Sequence, residues 1–105
     1  MADTTERPDI FISYSREDRI FVDKLEKTLR QHGLRIWIDH HNIPPTAEFM
    51  QEIYLGIESA NNFLFIISPK SATSQVCNLE VAHAIENNKR VIPILYRGRA
   101  PVNGD

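Results

Sequence analysis

The chain has 105 residues, which is enough for one small domain. Its content of 42% apolar and 25% charged residues is typical of a globular protein and excludes a disordered chain. A net charge of −2 provides no basic surface for nucleic acid or an anionic membrane, so we expect this domain to contact neither.

Strands and helices alternate along the chain. Strands are predicted where β-branched and aromatic residues cluster, and helices where apolar residues recur with helical spacing. After a flexible start at residues 1–8, the predicted order is strand 9–13, helix 16–33, strand 34–39, helix 47–60, strand 62–68, helix 74–87 and strand 90–95. The start lacks the apolar segment of a secretory signal, and no apolar run is long enough to span a membrane. We therefore expect a cytoplasmic protein.

The first two predicted helices each present one apolar face. In the first helix this face consists of Phe21, Leu25 and Leu29, and in the second of Phe49, Ile53, Ile57 and Ala60. Ser15, followed three residues later by Asp18, resembles a capping box that would begin the first helix. Gly33 is expected to end that helix.

The third predicted helix carries the candidate for chemistry. Its apolar stripe consists of Cys77, Val81, Ala84 and Ile85. Ser74 is expected to cap this helix, and Glu80 falls at the edge of the stripe, where an acid can face a crevice. The competing interpretation is an ordinary glutamate favoured only by the helix dipole. Cys77, in the middle of the stripe, is predicted to be a small buried hydrophobe and not a nucleophile.

Alternation of strands and helices predicts a parallel sheet with helices on both faces. We expect a flavodoxin-like α/β fold with strand order 2-1-3-4. A fifth strand should then follow the given chain, because the fourth strand would otherwise be an uncovered edge. Ligands in such sheets bind where the winding reverses, here between the first and third strands. The loops 13–18 and 68–75 flank that point, and the second leads to Glu80.

Other motifs argue against common alternatives. The loop SYSRED contains no glycine, which excludes a P-loop or Rossmann fingerprint, although Arg16 could still neutralise a phosphate. His40 and His41 are adjacent on an extended segment and point to opposite sides, so no metal site is predicted. A receiver-like domain is disfavoured because the first strand lacks the paired acids of a Mg²⁺ site.

Four stretches resemble the characteristic boxes of Toll/interleukin receptor (TIR) domains, in the order that the family has them. They are DIFISYSRED, GLRIWIDHHNIPP, ANNFLFIISPKSATSQVCNLEVAHAI and KRVIPIL. The resemblance covers about residues 9–95 and is greatest to bacterial TIR domains, which often begin longer defence or signalling proteins. It implies a TIR domain over 9–105, truncated at its C-terminal end, with further domains of a parent chain and other TIR domains as partners.

The resemblance also implies an activity, because many TIR domains cleave NAD⁺ at the nicotinamide–ribose bond. The family's catalytic glutamate matches Glu80 within SQVCNLE. The residues that match substrate-binding positions are Ser13, Tyr14, Ser15, Arg16, Asp39 and Phe49. NAD⁺ would be the substrate, and no cofactor or metal is implied. The products would be nicotinamide and ADP-ribose or a cyclic ADP-ribose-type signal, and self-association would activate the enzyme.

The competing hypothesis is a non-catalytic adaptor that recruits other TIR domains. Many NAD⁺-cleaving relatives have a tryptophan four residues before the glutamate, whereas this chain has Val76. The long loop usually contains a glycine, whereas this chain reads PPTAE. The retained SQVCNLE favours the enzyme, and Val76 favours the adaptor.

Overall fold

The computed structural model describes residues 7–38 and 46–96. The strands are β1 (Ile10–Ser13), β2 (Ile36–Ile38), β3 (Asn62–Ile67) and β4 (Arg90–Leu95). The helices are α1 (Arg19–Gln31), α2 (Ala47–Ser59), α3 (Pro69–Ala72) and α4 (Gln75–Glu86), with a 3-10 turn at Arg16–Asp18 before α1. The short helix α3 was not predicted. It begins at Ser68, whose hydroxyl accepts from the Ser71 N–H, with proline at the first helical position.

The four strands form one parallel sheet in the order β2-β1-β3-β4, which confirms the predicted topology. Ile12 of β1 lies between Ile38 of β2 and Leu64 of β3, and Ser13 is paired with Phe65. The carboxyl ends of β1 and β3 are therefore neighbours, as the site prediction requires. The predicted fifth strand lies outside the described residues, and so does most of the predicted flexible start, although Pro8 is already buried.

Alternate residues of the strands supply two apolar cores, one on each face of the sheet. On one face Phe11 and Phe63 pack against α2 and α4, and on the other Ile12 packs with Val22 of α1. Phe11 stacks between Trp37 and Phe63, with ring centroids 4.7 and 5.5 Å apart, so one aromatic row crosses three strands.

Helix α2 approaches this row closely at Gly56. A Cβ atom at that position would lie 2.8 Å from Cε2 of Trp37, so glycine is required for the contact. Gly33 has a φ of 83° and follows the end of α1, which confirms the predicted stop.

Two local predictions were wrong. Ile85 was assigned to the buried stripe of α4, but it is 61% exposed, because the buried face is centred between Cys77 and Glu80. At about 100° per residue, Ile85 lies roughly 140° from Glu80 on the helix. The capping box of Ser15 and Asp18 is not formed either. Ser15 accepts from the Glu17 N–H within the 3-10 turn, and Asp18 turns into the protein, where it accepts a hydrogen bond from Ser68.

Candidate active site

A cleft of about 270 Å³ lies at the carboxyl end of β1, at the predicted reversal of the sheet. Its walls come from Ile12 of β1 and residues 14–17 after it, from Phe49 at the start of α2, and from Val76, Cys77 and Glu80 of α4 with Ser74, which caps that helix. Three separate segments of the chain therefore meet at one opening, which is the usual arrangement of ligand sites in such folds.

Helix capping positions two of these walls. Ser74 accepts a hydrogen bond from the Cys77 N–H at 3.2 Å and so begins α4, which puts Glu80 in its second turn. Thr46 accepts from the Phe49 N–H at 3.1 Å and begins α2. Phe49 is half-buried and packs against the aromatic core while it faces the cleft.

The central acid of the cleft is Glu80, which is only 5% exposed. The hydroxyl of Ser13, the last residue of β1, donates a hydrogen bond of 2.6 Å to its Oε1 atom. Hydrogen bonds to a carboxylate are shorter and stronger than those between neutral groups. Glu80 lines the cleft, and its burial exceeds that expected for a residue at the edge of an apolar stripe.

A second buried acid, Asp18, was not predicted. It is 7% exposed, and its Oδ2 atom accepts a short hydrogen bond from the hydroxyl of Ser68. Asp18 comes directly before α1, where acids are common at the surface, so the residue pattern alone gave no sign of its burial. The sequence shows an acid at position 18 and a serine at position 68, but it does not show that the two form a pair.

Cys77 is 2% exposed, as predicted for a core residue. Burial raises the pKa of its thiol, and the charges of Glu80 and Asp18 raise this pKa further. Hydrogen bonds from Ser74 and Ser13 act in the opposite direction without reversing the shift. A thiol with a raised pKa carries little thiolate, which argues against a cysteine nucleophile.

The remaining predicted residues fall into three groups. Tyr14, Ser15 and Arg16 line the cleft, with Arg16 exposed at its rim beside Glu17. Ser13 does not line the cleft, because its side chain points behind the wall to Glu80. Asp39 lies outside the described residues. Glu17 and Val76 also line the cleft and were not predicted as site residues.

Within residues 7–38 and 46–96, no group of three His, Cys, Asp or Glu side chains is arranged to hold a metal ion. None of the helices in those ranges is long and apolar enough to cross a membrane.

A sequence model of the TIR-domain family matches residues 10–104, so the chain belongs to the TIR-domain family. A 2′ cyclic ADP-D-ribose synthase from Bacteroides thetaiotaomicron is 31% identical over 98 residues, which span 89% of this chain and 34% of that protein. An NAD(+) hydrolase from Paracoccus denitrificans is 36% identical over 107 aligned positions, which span 91% of this chain and 34% of that protein. The chain thus spans about a third of the length of these relatives.

Solved structures agree on the fold. The TIR domain of the Toll-related receptor TRR-2 from Hydra magnipapillata superimposes with a TM-score of 0.76 at 26% identity, over 88% of this chain and 73% of that one. The chain is therefore similar both to TIR proteins named for NAD⁺ chemistry and to a TIR domain of a receptor.

Proposed function

We propose that this domain cleaves the nicotinamide–ribose bond of NAD⁺, with Glu80 as the catalytic residue. The observation that carries the proposal is the Glu80 carboxylate, held by Ser13 in the wall of the cleft between β1 and α4. Two relatives named 2′ cyclic ADP-D-ribose synthase and NAD(+) hydrolase support the reaction class. NAD⁺ serves as the substrate in this proposal and not as a cofactor.

The chemistry needs one carboxylate and no strong acid. The bond between the ribose and the cationic nicotinamide nitrogen breaks with its electron pair on nitrogen, so nicotinamide leaves as a neutral molecule. The ribose is left with oxocarbenium character, as in glycoside hydrolysis. The negative charge of Glu80, whose side chain is largely shielded from water, stabilises this cation.

The other cleft residues have matching roles in the proposal. Phe49 stacks on the base that leaves, and Arg16 at the rim neutralises the pyrophosphate. A cleft of about 270 Å³ is smaller than most sites for drug-sized ligands, so we propose that it holds the nicotinamide ribose half and that the remainder extends beyond the rim. Water then captures the ribosyl cation and loses a proton to give ADP-ribose, or a hydroxyl of the same nucleotide does so to give a cyclic product.

Self-association is part of the proposal, as are immune signalling and a cytoplasmic location. The test is to incubate the assembled protein with NAD⁺ and to separate the products by chromatography. We expect wild type to release nicotinamide and Glu80→Gln to lose at least about 100-fold in rate. Glu86→Gln, which changes an exposed glutamate of the same helix, is the matched control and should keep the wild-type rate. Equal turnover by Glu80→Gln would remove Glu80 from the mechanism.

The second candidate is a non-catalytic module that binds other TIR domains. The likeness to the Hydra receptor domain supports it, and so does Val76 in the wall of the cleft. This candidate predicts association that depends on concentration, with no nicotinamide release from the assembled wild-type protein. The same experiment therefore separates the two candidates, provided that assembly is measured by light scattering in the same sample.

A further inference from the structure

Ser13 lies at the most buried point of the candidate site. It is the last residue of β1, it is 1% exposed, and its backbone is paired with Phe65 of the neighbouring strand β3. Its side chain is absent from the walls of the cleft that Glu80, Tyr14 and Ser15 line. A substrate in that cleft would therefore meet Glu80 and not the Ser13 hydroxyl.

The Ser13 hydroxyl instead donates to the carboxylate itself. The 2.6 Å bond joins residues 67 positions apart and connects the central part of the sheet to the second turn of α4. A glutamate side chain has several rotatable bonds, whereas the Ser13 hydroxyl is one bond from a strand held in a parallel ladder. The bond therefore restricts the direction in which the carboxylate points, and a donated hydrogen bond favours the ionised form.

We propose that Ser13 is a positioning residue that orients the Glu80 carboxylate toward the cleft and keeps it ionised, and that it does not bind substrate. The catalytic part of this inference rests on the proposed function, whereas the effect on the carboxylate does not. Among the described residues, the charged and titratable groups near Glu80 include Cys77 on its own helix, Asp18 before α1, and Tyr14, Arg16 and Glu17 on the loop after β1. These groups are the same in wild type and in variants at position 13.

The first arm of the test measures kinetics as a function of pH. In Ser13→Ala we expect kcat to fall about tenfold or more while KM stays within about twofold, because substrate contacts are retained. The acidic limb of the kcat profile should move to higher pH by about half a unit to one unit, since the ionised form has lost one donor. Ser13→Thr, which keeps the hydroxyl, should restore the position of the limb. A higher KM with an unchanged kcat and pH profile would instead make Ser13 a substrate contact and overturn the proposal.

The second arm does not need turnover. Carbon-13 NMR of protein labelled at glutamate carboxyls follows the titration of Glu80 directly, and its signal is assigned by its loss in Glu80→Gln. We expect the Glu80 titration to move to higher pH in Ser13→Ala and to return in Ser13→Thr. Ser59→Ala, which removes a hydroxyl bonded to the Gly56 carbonyl at the end of α2, is the matched control. It should change neither the pH profile of kcat nor the Glu80 titration.

The two arms separate the two proposals. A wild-type protein without nicotinamide release refutes the proposed function, and the NMR arm then still decides the role of Ser13. If Ser13→Ala does not fold, as judged by circular dichroism, Ser13→Cys replaces it, because a thiol fits a similar volume but is a weak donor. An unchanged Glu80 titration in the folded variant refutes the positioning role.

Discussion

Two buried hydroxyl–carboxylate pairs lie at the reversal of the sheet. In each pair, the serine ends one of the two central strands and the acid lies in the segment that follows the other. Ser13 at the end of β1 donates to Glu80 of α4, which follows β3 in the chain. Ser68 at the end of β3 donates to Asp18, which follows β1. The two pairs have the same chemistry, but only the Glu80 carboxylate lines the cleft. Burial and a serine partner therefore do not by themselves identify a catalytic acid.

The surroundings of the two pairs explain the difference. Ser68 also begins α3: its hydroxyl accepts from the Ser71 N–H, and the Ser71 hydroxyl donates to the Ile66 carbonyl at 2.7 Å. Asp18 is therefore joined to a closed network that holds two loops together. Glu80, in contrast, accepts a hydrogen bond from Ser13 and also lines the cleft. We propose that the Asp18 pair stabilises the frame of the cleft, meaning the loops that follow β1 and β3, and that the Glu80 pair supports the proposed reaction.

The largest expected effect is a separation of activity from stability at Glu80. Glu80→Gln removes the charge but keeps an oxygen that accepts from Ser13, so we expect its unfolding free energy to lie within about 1 kcal/mol of wild type. Its rate of nicotinamide release should nevertheless fall at least about 100-fold. Urea denaturation and the NAD⁺ assay on the same preparation measure both quantities. A large loss of stability would show that Glu80 also supports the frame and would remove the contrast with Asp18.

The next effect concerns the stability of the frame. Asp18→Ala leaves the Ser68 hydroxyl without its acceptor, so we expect a loss of about 2–3 kcal/mol in unfolding free energy. Asp23→Ala is the matched control, because Asp23 is exposed and its contact with Arg19 is 3.9 Å long. That control should change stability by less than about 0.5 kcal/mol. Equal urea midpoints for the two variants would mean that the buried pair contributes nothing.

A double-mutant cycle tests whether Asp18 and Ser68 act as one unit. Ser68→Ala removes the cap of α3 together with the donor to Asp18, and we expect it to cost about 1–2 kcal/mol. The double variant should cost less than the sum of the single variants by about 1 kcal/mol, because the pair is lost only once. Additive free energies in urea denaturation would show that the two residues stabilise the protein independently.

The sequence was sufficient for the architecture because the signals for it are repetitive. Strands 10–13, 62–67 and 90–95 are short apolar runs, and the segments between them carry apolar residues with helical spacing. Such alternation of strands and helices permits few topologies. Glu80 was also within reach, because its place on the helix follows from Ser74 and the apolar stripe. These inferences use neighbours in the chain, which a sequence displays directly.

The two hydroxyl–carboxylate pairs could not be predicted from the sequence, because their partners are not neighbours in the chain. Their partners are separated by 67 and 50 positions, and only the folded backbone brings them together. Ser13 was named as a substrate-binding residue because it matches a position of the TIR family, but its contact with Glu80 depends on the side of the strand to which its hydroxyl points. Asp18 was assigned to a cap because a nearby interaction is visible in a sequence, whereas the distant acceptor role is not.

The smallest expected effect is at Cys77, whose thiol is influenced by the acids of both pairs. Its folded-state pKa is raised above the unfolded value, mainly by burial, so the folded protein holds this proton more tightly. The associated stability is fully present below about pH 8.5, the ordinary cysteine pKa, and is lost as the pH rises through the raised pKa. Wild type should therefore lose more unfolding free energy between pH 8 and pH 10 than Cys77→Ala, by roughly 1 kcal/mol. Urea denaturation at both pH values measures the difference. Because lysines and tyrosines titrate equally in both proteins, parallel losses would mean that the two carboxylates and the burial do not act on this thiol.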